Sequence, residues 1–175
     1  MEILVFSDSH GRLDRMREVV QRVLAVRPSD AIIFLGDGLR DAERLESELP
    51  QIPFYKVRGN CDVFFAFDNA ESPTERLIEL GGKRIFITHG HMLSAKCGCG
   101  RLIAEAERLG ADMVMFGHTH EPISEYIMRD GSENPDGKKS KGIYLFNPGS
   151  IGYGGTWGIV TLTARGEIFT SHGSL

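Results

Sequence analysis

The sequence predicts an α/β fold organised on parallel strands. Three observations lead there. The first part of the chain alternates short apolar runs with amphipathic helical patterns, in the order β-α-β-α-β. Apolar runs stop repeatedly on short turns rich in Gly, Asp, Asn and His. From residue 75 onward the pattern changes to paired apolar runs across Gly-rich turns, which read as hairpins.

Residues 3–6 form the first strand. Leu13, Met16, Val19, Val20, Val23 and Leu24 follow at helical spacing, so about residues 12–26 form an amphipathic helix ended by Pro28. Residues 31–35 are a fully apolar strand that stops at Gly36-Asp37-Gly38. Ala42, Leu45 and Leu49 mark a shorter helix closed by Pro50, and residues 54–57 are the third strand. Strands joined this way are expected to run parallel, with right-handed crossovers. Residues 61–70 include Val63-Phe64-Phe65-Ala66-Phe67, very apolar for a loop. Packing beneath a site or at a subunit contact, hence a homo-oligomer, is one reading; a wall of a substrate pocket is the other.

Residues 75–80 and 83–88 flank Gly81-Gly82 and read as a hairpin. Leu102, Ile103, Ala106 and Leu109 place a third helix within residues 94–109, stopped by Gly110. Residues 113–116 are a strand. Residues 122–128 and 142–146 pair as a hairpin across a polar connection, 129–141, expected to be a mobile surface loop. Residues 158–162 and 167–171 make the last hairpin.

The chain of 175 residues is expected to form one domain, residues 1–175, with ordinary composition for a globular protein. A net charge of −4 gives no basic footprint, so nucleic acid is not indicated as a partner. Three cysteines argue against a disulfide framework. The chain enters a strand at once, so no signal peptide is expected, and no apolar run approaches the roughly 20 residues of a membrane span. A cytoplasmic protein without a membrane partner is the expectation.

The chemistry lies in the strand-end turns. Of six histidines, five (His10, His89, His91, His118 and His120) fall there; His172 is assigned no role. Asp8, taken with the strand before it as extended, shares a face with His10, and His118 with His120. A helix-capping role is the alternative for Asp8. Asp37 ends the central apolar strand and reads as a bridge between two ions. Asn60 adds an amide oxygen. The set Asp8, His10, Asp37, Asn60, His89, His118 and His120 offers nitrogen and oxygen only. It suits divalent manganese, iron, zinc, nickel or cobalt over calcium, the choice following availability as much as affinity; manganese is the expected ion, with nickel, iron, cobalt or zinc as alternatives. Two such ions about 3.5–4 Å apart clamp phosphoryl oxygens and generate a bridging hydroxide. Phosphoester hydrolysis is the expected reaction, although aminopeptidases also use two metals.

Asp8-x-His10, Gly36-Asp37, Gly59-Asn60, His89-Gly90-His91 and Gly117-His118-x-His120, in this order, resemble the calcineurin-like metallophosphoesterase superfamily. Asn147-Pro148-Gly149-Ser150 and the short length resemble its small bacterial and archaeal phosphodiesterase branch, which is similar to the retromer scaffold subunit. The resemblance implies a four-layer αββα sandwich with two mixed sheets and the site at the strand C-termini. It implies Asp8, His10, Asp37 and His120 around one ion, and Asp37, Asn60, His89 and His118 around the other. The chain departs from the family at Cys61, where many members carry a histidine that helps protonate the leaving group. Asn60 and His91 are then the expected catalytic residues, and small-molecule or nucleotide phosphodiesters the expected substrates. A phosphomonoesterase or nucleotidase, or a protein-binding scaffold, is the alternative. Cys97 and Cys99 read as a Gly-rich helix entry rather than a redox pair.

Overall fold

Alternation along the strands sets the layers. In β1 (Glu2–Phe6), Ile3 and Val5 point into one core cluster while Leu4 and Phe6 point into another. Both faces of the strand are therefore buried, which is why its sequence is a continuous apolar run. The computed structural model describes residues 1–65, 72–128 and 142–175.

The other elements are α1 (Leu13–Leu24), β2 (Ala31–Phe34), α2 (Leu39–Glu48), β3 (Phe54–Lys56), β4 (Glu75–Leu80) and β5 (Lys83–Thr88). Then come α3 (Gly100–Leu109), β6 (Met113–Met115), β7 (Pro122–Ile127), β8 (Ile143–Pro148), β9 (Thr156–Leu162) and β10 (Ile168–Ser174). One sheet has the order β10-β9-β1-β2-β3, the other β4-β5-β6-β8-β7. Both are mixed. β1, β2 and β3 run parallel, as do β5, β6 and β8; β9 joins the first trio antiparallel at β1, and β4 and β7 flank the second trio antiparallel on both sides.

The sheets meet through Ile3, Val5, Ile33, Ile85, Ile87 and Met115. The outer face of the first sheet packs on α1 and α2 through Phe6, Phe34, Met16, Val19 and Leu45. The outer face of the second packs on α3 through Phe86, Val114, Leu102 and Ala106. The layers are thus α-β-β-α, as expected.

Several boundaries differ from the sequence reading. The third helix starts at Gly100, because a 3₁₀ turn, Ala95–Cys97, follows Ser94 in left-handed backbone. β9 and β10 pair over seven residues and join the first sheet through β9 and β1. Residues 60–65 are a 3₁₀ turn rather than an open loop. The apolar run at 63–67 extends beyond the described residues, and the connection 129–141 lies outside them.

Candidate metal centre

The turns after β1, β2 and β6 share an uncommon backbone. Asp8, His10, Asp37, His118 and His120 all have φ between 46° and 67°. Among the described residues, Ser94 is the one other non-glycine residue with positive φ. Such conformations cost about 1–3 kcal/mol each and persist only where the surroundings impose them. Here the turns hold one another. Asp8 N donates to Gly36 O (2.9 Å), His10 N to Asp37 O (3.1 Å) and Gly117 N to His89 O (3.2 Å). Strand alternation therefore does not bring Asp8 beside His10, as the sequence reading assumed; left-handed turns beyond the strands do. Nor does Asp8 cap α1, whose N-cap is Arg12. Two glycines permit the close approach: a Cβ on Gly59 would lie 2.1 Å from Asp37 Oδ1, and one on Gly117 1.9 Å from Ser7 Oγ.

Each carboxylate spends one oxygen on the protein and keeps one for the centre. Asp8 Oδ2 accepts from Ser7 Oγ (2.5 Å) and His118 N (3.1 Å). Its Oδ1 faces Nε2 of His120 (3.2 Å), His10 (3.8 Å) and His89 (3.9 Å). Asp37 Oδ1 accepts from Cys61 N (2.7 Å), and its Oδ2 lies 3.4 Å from His89 Nε2. His89 Nδ1 donates to Leu35 O (2.7 Å), which presents Nε2 to the same space. Asp8 Oδ1, His10 Nε2 and His89 Nε2 are buried without a hydrogen-bond partner. Buried polar atoms rarely go unpaired, and three converging on one space fit a cation. Asp8, His10 and His120 form one group with ligand atoms within 4.8 Å; Asp8, Asp37 and His89 form another.

The remaining predicted residues gather around these. The His118 ring lies 5.0 Å from that of His89, and His91 lies 5.4 Å from His89. Asn60 opens the 3₁₀ turn and donates its amide to Cys61 Sγ (3.3 Å), leaving its amide oxygen as the ligand atom it can offer.

Burial dominates the electrostatics. It pushes the Asp8 carboxyl up, lowers His91, and pulls His118 down to about 4. For His89 burial opposes the charged ring, but the carboxylates of Asp37 and Asp8 outweigh it and raise its pKa. Burial likewise opposes ionisation of Asp37, yet His89 and the Cys61 N–H hold its pKa below the usual carboxylate range. Burial, then the Asp37 carboxylate, pushes Cys61 up to about 11, so it is a neutral thiol at pH 7.

Sequence reasoning missed the bracing by Asp62. Asp62 accepts from the N–H groups of Asp37, Gly38 and Leu39 (each 2.9 Å) and Gly59 (2.7 Å). One carboxylate thus ties the turns after β2 and β3 together and sits at the start of α2. Asn147 Nδ2 donates to Gly117 O and Thr119 Oγ1 (both 3.0 Å), and Ser150 Oγ to Asp8 O (2.9 Å). The Pro148-Gly149 turn therefore shapes the centre instead of merely reversing the chain. His172 meets Asn147 O (2.8 Å) through Nε2 and stacks on Phe146. Cys97 and Cys99 are free thiols at the entry to α3. A cavity of about 390 Å³ opens beside the centre between His10, Asp37, Leu39, Arg40, Cys61 and Asp62.

The calcineurin-like phosphoesterase superfamily domain matches residues 1–165. This chain belongs to that superfamily. It is accordingly a metal-dependent phosphoesterase, and its clustered histidines and carboxylates are candidate divalent-metal ligands. It is 34% identical over 152 residues to "Probable metallophosphoesterase YsnB" of Bacillus subtilis, covering 86% of this chain and 75% of that protein. It is 28% identical over 171 residues to "Phosphodiesterase YfcE" of Escherichia coli K12, covering 86% and 79%. A predicted phosphoesterase structure from Streptococcus pneumoniae superposes with TM-score 0.65 at 26% identity, over 99% of this chain and 97% of that one. Vacuolar Protein Sorting 29 from Cryptosporidium parvum superposes with TM-score 0.65 over 99% and 98% of the two chains; at 17% identity this shows the fold alone. Among the described residues, no helix is long and apolar enough to cross a membrane.

Proposed function

We propose that the chain is a binuclear phosphodiesterase using two divalent ions, manganese first among them. The observation that carries this reading is the convergence of buried, unpartnered Asp8 Oδ1, His10 Nε2 and His89 Nε2 beside Asp37. On the family pattern, Asp8, His10, Asp37 and His120 would hold one ion, and Asp37, Asn60, His89 and His118 the other. When bound, the ions supply the Lewis-acid charge that activates water and neutralises phosphoryl oxygens. The Leu35 carbonyl fixes the His89 tautomer, so Nε2 keeps its lone pair for an ion. Asn60 orients a phosphoryl oxygen from the rim.

Leaving-group chemistry favours diesters with acidic leaving groups. Cys61 is a neutral thiol and a poor proton donor at pH 7. His91, the other candidate, has its pKa lowered, chiefly by burial. The cavity beside Cys61 gives an organic substituent room, and the relative from Escherichia coli is named a phosphodiesterase. A protein-binding scaffold would have no need of seven intact ligand positions.

The test is an assay of chelator-stripped protein on an activated aryl diester and its monoester. Manganese is expected to restore turnover, with the diester faster. Faster monoester turnover would refute the diester preference. No turnover with any divalent ion, in folded protein, would refute the enzyme reading and favour the scaffold.

A further inference from the structure

Exposed tyrosines are ordinary on protein surfaces, but Tyr153 is held in place by unusual means. It sits in the Gly-rich turn between β8 and β9, with 69% of its surface exposed. Its N–H donates to Ser150 Oγ (3.0 Å), and that hydroxyl donates to Asp8 O (2.9 Å). Gly152 N donates to Asp8 O (3.0 Å) and Ile151 N to Ser7 O (3.1 Å). From α1, Arg15 Nη1 donates to the carbonyls of Ile151 (3.2 Å) and Gly152 (2.9 Å). The approach of this turn to the Asp8–Ser9 backbone is so close that a Cβ on Gly152 would lie 2.5 Å from Ser9 O. The turn is thus fastened to the strand end that carries Asp8 and His10.

The result is an aromatic ring beside the centre. The Tyr153 ring lies 4.9 Å from that of His10, tilted by 47°, and 5.3 Å from that of His120, tilted by 30°. It therefore covers the Asp8 side of the centre, while most of its surface stays open to solvent. His10 adjoins both: its ring lies beside Tyr153, and it lines the cavity of about 390 Å³. A phosphoryl group held at the centre then has space for one substituent in the cavity and an aromatic surface for the other.

Resting on the reading proposed above, we infer that Tyr153 is a stacking platform that selects phosphodiesters bearing an aryl or nucleobase group on an ester substituent. Stacking on an exposed aromatic ring tolerates any flat partner, so the platform selects a class rather than one base. Tyr153 is not one of the seven residues proposed above as metal ligands. Its removal should therefore change substrate preference without removing metal.

The test measures binding by calorimetry in manganese-loaded protein, using benzylphosphonate and methylphosphonate, which share a head group that cannot be hydrolysed. Wild type should bind the benzyl compound more tightly. Tyr153→Leu should weaken benzylphosphonate about tenfold and leave methylphosphonate within twofold, with metal content unchanged. Tyr153→Phe should keep the benzyl preference, because the ring and not the hydroxyl does the work. Equal weakening of both compounds, or loss of metal, would make Tyr153 a positioning residue for His10 and His120 and overturn the platform. No change in either compound would also overturn it. If wild type binds neither phosphonate, the platform fails; the phosphoesterase reading fails only if manganese-restored diester turnover is absent as well.

Discussion

Asp8 and Asp37 both follow parallel strands of the first sheet, both sit in left-handed backbone, and both keep one carboxylate oxygen for the centre. What braces them differs. The Asp37 turn is held by one buttress, Asp62, whose carboxylate collects four backbone N–H groups from residues 3 to 25 positions away. The Asp8 turn is held by several ties: Asp41 beside it, Ser150, 142 residues on, and Arg15 acting through the Ile151–Gly152 carbonyls. The Asp37 turn thus leans mainly on one carboxylate, whereas the Asp8 turn shares its support between charged groups, Arg15 and the buried Asp41, which accepts from Ser9 Oγ (2.6 Å) and Gly11 N (2.9 Å), and the neutral Ser150. Removing Asp62 should therefore damage its half more than removing Ser150 damages the other.

Substitutions can break that comparison or sharpen it. Asp37→Ala belongs to both halves and should have the largest effect, a loss of at least about 10³-fold in kcat/KM on an activated diester, checked by steady-state kinetics. Asp62→Ala leaves four N–H groups without their acceptor and should cost about 2–4 kcal/mol, measured by urea denaturation of the metal-free protein. Cys61, beside Asp62, should be alkylated more than tenfold more slowly at pH 8 than a free thiol of pKa about 8.5. Its rate should rise with pH toward about 11, because its pKa is raised and only the thiolate reacts. Iodoacetamide labelling with mass spectrometry reads this out. Ser150→Ala should have the smallest effect, about 1 kcal/mol, because Gly152 N and Arg15 still hold the turn. If Ser150→Ala matched Asp62→Ala in the denaturation assay, the asymmetry between the halves would be wrong.

The layers were legible because burial on both faces writes a continuous apolar run, as in Ala31–Phe34. The candidate residues were legible because histidines and carboxylates concentrate where those runs stop. Their backbone was not. Nothing in the Asp8-Ser9-His10 triplet signals left-handed φ, which is imposed by bonds between turns far apart in sequence, such as Asp8 N to Gly36 O. Asp62 was hidden for a related reason. Its role appears only when the turns after β2 and β3 are known to be neighbours. Tyr153 reads in sequence as one residue of a Gly-rich rim, and its ring acquires meaning only beside His10. The membership of β9 and β10 in the first sheet likewise depends on pairing between Glu2 and Thr161, which no local pattern specifies.

The most direct measurement is metal content per chain, by elemental mass spectrometry, after manganese loading and desalting of wild type, His120→Ala and His89→Ala. Two ions in wild type and about one in each variant would support a shared centre with one site in each half. One ion in wild type, or complete loss of metal from either variant in folded protein, would contradict it.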